Sequence, residues 1–116
     1  MNATKMTDAN QYRARSAVRR FGQIIEFRTS RINDLNAFFD SWITKTEGRR
    51  IPHKAVVCKD RDAEDVYLLT VEFPSHEVAI ENSGRPEVAE FGAFLSSICD
   101  SPPQFRNLDV LRSEDL

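Results

Sequence analysis

VYLLTVEFPSHEVAIENSGRPEVAEFGAF, residues 66–94, changes its apolar period part-way along. Up to Phe73 the apolar side chains alternate, so one face of an extended chain reads Tyr67, Leu69, Val71, Phe73 and the other Val66, Leu68, Thr70, Glu72. Beyond Ser75 the spacing becomes helical. Pro74 cannot donate to a strand ladder, and the Ser75 hydroxyl can accept from the free amides of a helix's first turn, so this is a strand feeding a helix. That helical region is broken. Residues 75–81 suit a short helix, Asn82, Ser83 and Gly84 interrupt it, and Pro86 suits the first position of a second helix. From there Val88, Phe91, Leu95 and Ile98 fall at i, i+3, i+7 and i+10, with Phe94 widening the stripe.

Downstream, Asp100 to Pro103 stop the helix, residues 104–111 (QFRNLDVL) make a last strand, and residues 113–116 are a polar tail. Upstream, the charged segment 60–65 (DRDAED) turns the chain, and residues 52–59 are the partner strand of a hairpin, with Pro52 marking an edge or a strand start. Residues 21–29 (FGQIIEFRT) form the first strand. Phe21, Ile25 and Phe27 point one way, and Ile24 points the other beside Glu26 and Arg28. Ser30 or Asn33 can cap the following helix and Gly48 can end it, while Leu35, Phe38, Phe39, Trp42 and Ile43 make its apolar stripe. The order strand, helix, strand, strand, helix, strand is α+β: a ferredoxin-like βαββαβ sheet with two helices on one face.

Such a sheet leaves its second face open. Here that face is half apolar, more than a solvated surface needs, so a second copy of the same sheet is expected to cover it. A domain of residues 18–112 is expected, after a mobile basic arm of residues 1–17. Residues 1–20 carry five cations against Asp8, a local +4 that leaves −6 on the rest of a chain whose net charge is −2. The arm is expected to be solvated, and nucleic acid is not the expected partner. If the arm did bind DNA or RNA, the affinity would fall steeply with salt.

At 41% apolar and 29% charged residues, with no apolar run near the roughly 20 residues of a membrane span, the composition points to a cytoplasmic protein and away from membranes. Cys58 and Cys99 lie in apolar surroundings without metal spacing and are expected to be reduced and largely buried. HEVAI at 76–80 starts like a zinc-protease HExxH but has Ile80 where the second histidine belongs. No GxGxxG, GxxxxGK or GxSxG occurs. Glu72 and Asp109, expected on neighbouring strands, are read as partners for Arg28 or Arg106 rather than as a catalytic pair.

The segments VEFPS, NSGRPEVAEF and FRNLDV together resemble the dimeric α+β-barrel superfamily, in particular the group named after antibiotic-biosynthesis monooxygenases; the likeness spans roughly residues 20–111. It implies two ferredoxin-like subunits paired sheet to sheet, each with a cavity between its sheet and its helices. In active members an aromatic or quinol-like substrate, or haem, would react there with oxygen without a separate metal or flavin, so no cofactor is expected. Haem-degrading relatives carry a tryptophan and a histidine at places that here hold Ala79 or Ile80 and Phe91, so haem degradation is not expected.

A cofactor-free site needs groups that orient and deprotonate a phenol, donors for the resulting anion and an apolar wall. The candidates are His53 as general base, Asn82 beside the helix break, Arg85 as anion donor, Tyr67 as hydrogen-bonding partner and Phe91 in the wall. Each also has an ordinary reading. Asn82 can simply end a helix, Arg85 can pair with Glu81, and His53 can sit hydrogen-bonded in the barrel or an interface. Trp42 reads as core. The chain is thus either a homodimeric binder of a small aromatic or quinone-type molecule, and a cofactor-independent monooxygenase, or a non-catalytic dimeric module. A cavity of about 300 Å³ or more would favour the first.

Overall fold

The computed structural model describes residues 20–50, 52 and 54–116. Within them the chain runs β1 (Phe21–Arg28), α1 (Ile32–Lys45), β2 (Lys54–Lys59), β3 (Val66–Phe73), α2 (His76–Ser83), α3 (Pro86–Ile98) and β4 (Gln104–Asp109). The strands form one antiparallel sheet in the order β2-β3-β1-β4. The fold is therefore the ferredoxin-like α+β arrangement, with its second helical layer divided into α2 and α3. Among the described residues no helix is long and apolar enough to cross a membrane. The expected basic arm, residues 1–17, lies outside the described residues.

Register explains the core. Phe21 lies opposite Phe73, Ile25 opposite Leu69 and Phe27 opposite Tyr67, so the uninterrupted apolar face of β3 meets that of β1. Helices α1 and α3 lie over this face. Leu35, Leu69 and Leu95 meet at its centre, each 1% exposed or less, and full burial of such a side chain contributes about 1.5–3 kcal/mol. Burial falls along the stripe of α1, from Leu35 at 0% exposure through half-buried Phe39 and Trp42 to Ile43 at 43%. The second half of the helix faces a cavity instead of packed side chains.

The punctuation of the chain is partly as expected. Ser75 caps α2, its Oγ accepting from the Val78 amide at 3.2 Å, and Pro86 opens α3. Ser30 and Asn33 do not cap α1; Arg31 holds the N-cap position without a side-chain bond. The reason is Thr29. Its buried hydroxyl donates to the Ile98 carbonyl at 2.5 Å and accepts from the Arg31 amide at 2.9 Å, joining β1, α1 and α3 at one point. Helix α1 ends at Lys45, before Gly48, whose positive φ of 77° belongs to the turn beyond. Strand β2 starts after Pro52, and β4 ends two residues short of Leu111.

Two side-chain expectations are corrected. Glu72 and Asp109 are not on neighbouring strands, because β1 separates β3 from β4. Glu72 pairs with Gly22 and Asp109 with Phe21, so they point to opposite faces, and Glu72 lies 3.8 Å from Arg20. Cys58 is exposed rather than buried, since alternation along β2 puts it on the open face of the sheet. On that face Ile24 and Leu68 are half-buried, and Val56 and Leu108 are 37% and 43% exposed.

Candidate functional site

Between the helix-covered face of the sheet and α1 and α3 lies a cavity of about 440 Å³. The sheet supplies Leu69, Val71 and Phe73, all on the inward register of β3, and the helices supply Phe39, Trp42 and Phe91. The wall is thus aromatic on the helix side and aliphatic on much of the other, which suits a planar apolar body. Phe91 lies within stacking or tilted distance of Phe38, Phe39 and Trp42, with centroids 6.0, 5.6 and 6.1 Å away. Trp42 is held from outside, its indole donating to the Glu87 carbonyl at 3.1 Å.

Few polar groups interrupt this wall. Asn82, in the last turn of α2, is 8% exposed and lines the cavity. Its carbonyl accepts from the Arg85 amide at 3.0 Å, but among the described residues its side-chain amide makes no hydrogen bond. Lining the cavity, this amide is placed to bond a ligand there. Gln23, the single polar side chain among Phe21, Ile25 and Phe27 on the inward face of β1, also lines the cavity, and its Nε2 donates to Asn107 Oδ1 at 3.0 Å. Arg50, exposed at the mouth, and Lys54 complete the polar set among the described residues.

Of the residues named from sequence, Asn82 and Phe91 line the cavity. Tyr67 does not. It lies in the core, stacked on Phe27 at 5.8 Å. Arg85 is also outside the wall, and its Nη1 donates to the Arg49 carbonyl instead of to Glu81 or the cavity. His53 lies outside the described residues, although its neighbours Pro52 and Lys54 both line the cavity. His76 is exposed, with its ring 4.9 Å from that of Phe21. Gln23, Trp42 and Arg50 were missed. Alternation could have found Gln23, which breaks an otherwise apolar face; Trp42 shares its stripe with true core residues, and Arg50 sits in a loop where periodicity carries no signal.

A strap of charges holds the rim. Arg49 meets Glu87 at 2.8 Å and Lys45 meets Glu90 at 2.7 Å, tying the end of α1 and the turn after it to the start of α3. Glu87 is held below the ordinary carboxylate value of 4.5 by a hydrogen bond from its own backbone amide, which outweighs the raising effect of partial desolvation, and the charges of Arg49 and Arg85 lower it further.

With this geometry in hand, comparison with solved structures is informative. The chain superposes on a Caulobacter crescentus protein described as an antibiotic biosynthesis monooxygenase with a TM-score of 0.69 and 13% identity, covering 82% of this chain and 92% of that one. The fold is that of the antibiotic biosynthesis monooxygenase-like proteins. Two more of this kind of structure agree. Rv0793 from Mycobacterium tuberculosis gives a TM-score of 0.67 at 18% identity, covering 83% of this chain and 99% of that one. SnoaB from Streptomyces nogalater, a cofactor-independent oxygenase, gives 0.67 at 8% identity, with 82% and 96% covered. No family model matches the sequence, and no curated protein matches it either. At these identities the antibiotic biosynthesis monooxygenase-like likeness is one of fold.

Proposed function

We propose that this protein is a cytoplasmic homodimer, paired through the open face of its sheet, that binds a small aromatic or quinone-type molecule in the cavity of each subunit and oxygenates it without a cofactor. One observation carries this reading: an aromatic-walled cavity of about 440 Å³ with the Asn82 side chain on its lining. A non-catalytic module would be expected to fill the space between helices and sheet, and this one leaves it open. The fold shared with SnoaB supports the same direction.

The chemistry asked of the protein is modest. A phenol bound against Phe91 and Trp42 loses its proton, with His53 the candidate base, and Asn82 donates to the anion. The electron-rich ring then reacts with dioxygen. One oxygen atom enters the ring and the other leaves as water, so that phenol plus O₂ becomes quinone plus water and the substrate itself supplies the electrons. The protein orients the ring, holds the anion and excludes bulk water.

The test is incubation with a panel of phenols and hydroquinones, aerobically and anaerobically, following absorbance and oxygen uptake. Protein-dependent quinone formation in air alone is expected, lowered roughly 10²–10³-fold in Asn82→Ala if Asn82 is an anion donor. If no compound bound or changed, the non-catalytic module would replace this reading.

A further inference from the structure

The charges around the cavity are unbalanced. None of the described residues that line it is acidic. Of the carboxylates on the surrounding elements, Glu87 is engaged with Arg49, Glu90 with Lys45 and Glu72 with Arg20. Lys54 touches the cavity from the start of β2, where its register partner is Glu72, a residue of the open face. Among the described residues that line the cavity, Arg50 is the other cation. Its Nη1 donates to the Ile43 carbonyl at 2.9 Å, which fixes the guanidinium at the carbonyl end of α1, and among the described residues the rest of its N–H fork makes no hydrogen bond. A planar cation with spare parallel donors suits a carboxylate or phenolate oxygen better than any neutral group.

We propose that the cavity selects aromatic anions: a one- or two-ring body between the Trp42 and Phe91 side and the Val71 side, with its ionised oxygen on Arg50 at the mouth and a second polar group on Asn82 inside. The proposal rests on the reading of the cavity as a ligand site, and it specifies the chemical class that reading leaves open. It also replaces Arg85, whose guanidinium is turned onto the Arg49 carbonyl, as the anion donor.

The experiment compares 2-naphthoate with its neutral isostere 2-naphthamide. Binding is followed by nuclear magnetic resonance through the indole Nε1–H signal of Trp42, the single tryptophan of the chain and part of the cavity wall. Wild type is expected to bind the anion roughly tenfold or more tightly than the amide, as charge-assisted bonds exceed neutral ones. Arg50→Gln is expected to lose that preference, the two probes then binding alike, and Arg50→Lys to keep part of it. Equal binding of the two probes by wild type would overturn the proposal and leave the ligand site standing. A preference that survives in Arg50→Gln would overturn the role of Arg50. Failure of both probes to shift Trp42 would remove the ligand site itself, and the proposal with it. Arg50 is exposed, and circular dichroism checks that each variant is folded.

Discussion

Replacing Ile24 by lysine tests the proposed dimer at its centre. Ile24 lies on the central strand β1, facing away from the helices, with Thr70 opposite it on β3, Val56 one strand further on, and Arg106 opposite it on β4. In a two-fold dimer built on this face the substitution is met twice. Each copy loses about 1.5 kcal/mol of apolar burial, because Ile24 is half-buried already in the isolated subunit. Each also places an ammonium beside Arg106 in the middle of the interface, a further penalty of at least about 1.5 kcal/mol. The dimer is thus weakened by about 6 kcal/mol or more, roughly 10⁴-fold in Kd. The subunit keeps its core, since Ile24 contributes nothing to the cluster around Leu35, Leu69 and Leu95. Light scattering at micromolar concentration is expected to give a dimer for wild type and a folded monomer for Ile24→Lys. Monomeric wild type, or a variant that dimerises as tightly as wild type, would refute the reasoning about the open face.

Three further outcomes follow from the packing and charges. Leu35→Ala removes a side chain with no exposure and is expected to lower unfolding free energy by about 2–5 kcal/mol in denaturant titration. The carboxyl of Glu87 is lowered in the folded chain, so its stabilising effect is present above the ordinary value of 4.5 and is lost as pH falls through the lower, folded value. Melting curves of wild type and Glu87→Gln should therefore differ at neutral pH and converge in acid, and a gap that widened in acid would contradict the assignment. Cys58, exposed on the open face, is expected to react quickly with a thiol reagent in dilute protein and slowly at concentrations where the dimer forms. Cys99 should react slowly throughout, since burial and then Asp100 raise its thiol.

The fold was legible because its decisive signals are local. The alternation ending at Phe73, the Ser75 cap and the Pro86 start each depend on a few neighbouring residues, and all three recur in the structure. The cap of α1 was not legible, because Thr29 acts through the Ile98 carbonyl, 69 residues away in sequence. The site was only half visible. Asn82 and Phe91 stand at a helix break and on a helical stripe, positions that periodicity marks. Tyr67 shares the inward face of β3 with residues that line the cavity, yet it packs beyond the cavity's end on Phe27, a distinction along the strand that alternation cannot draw. For Arg50 and Arg85 the deciding facts are which carbonyl each guanidinium reaches, and no spacing encodes that.

Among the described residues, strand β4 is bonded to the sheet along β1 alone, and all six of its residues are exposed. Everything it pairs with precedes it in the chain, so β2, β3 and β1 can join before residues 104–109 arrive at an edge that is already formed. Detaching it breaks one ladder and uncovers little apolar surface, which places its amides among the first to exchange with heavy water, ahead of those of β1. Phe105 is both on this strand and in the cavity wall. Each excursion of β4 therefore opens the cavity from the side, and a ligand seated against Phe105 would slow that excursion by holding the strand in place.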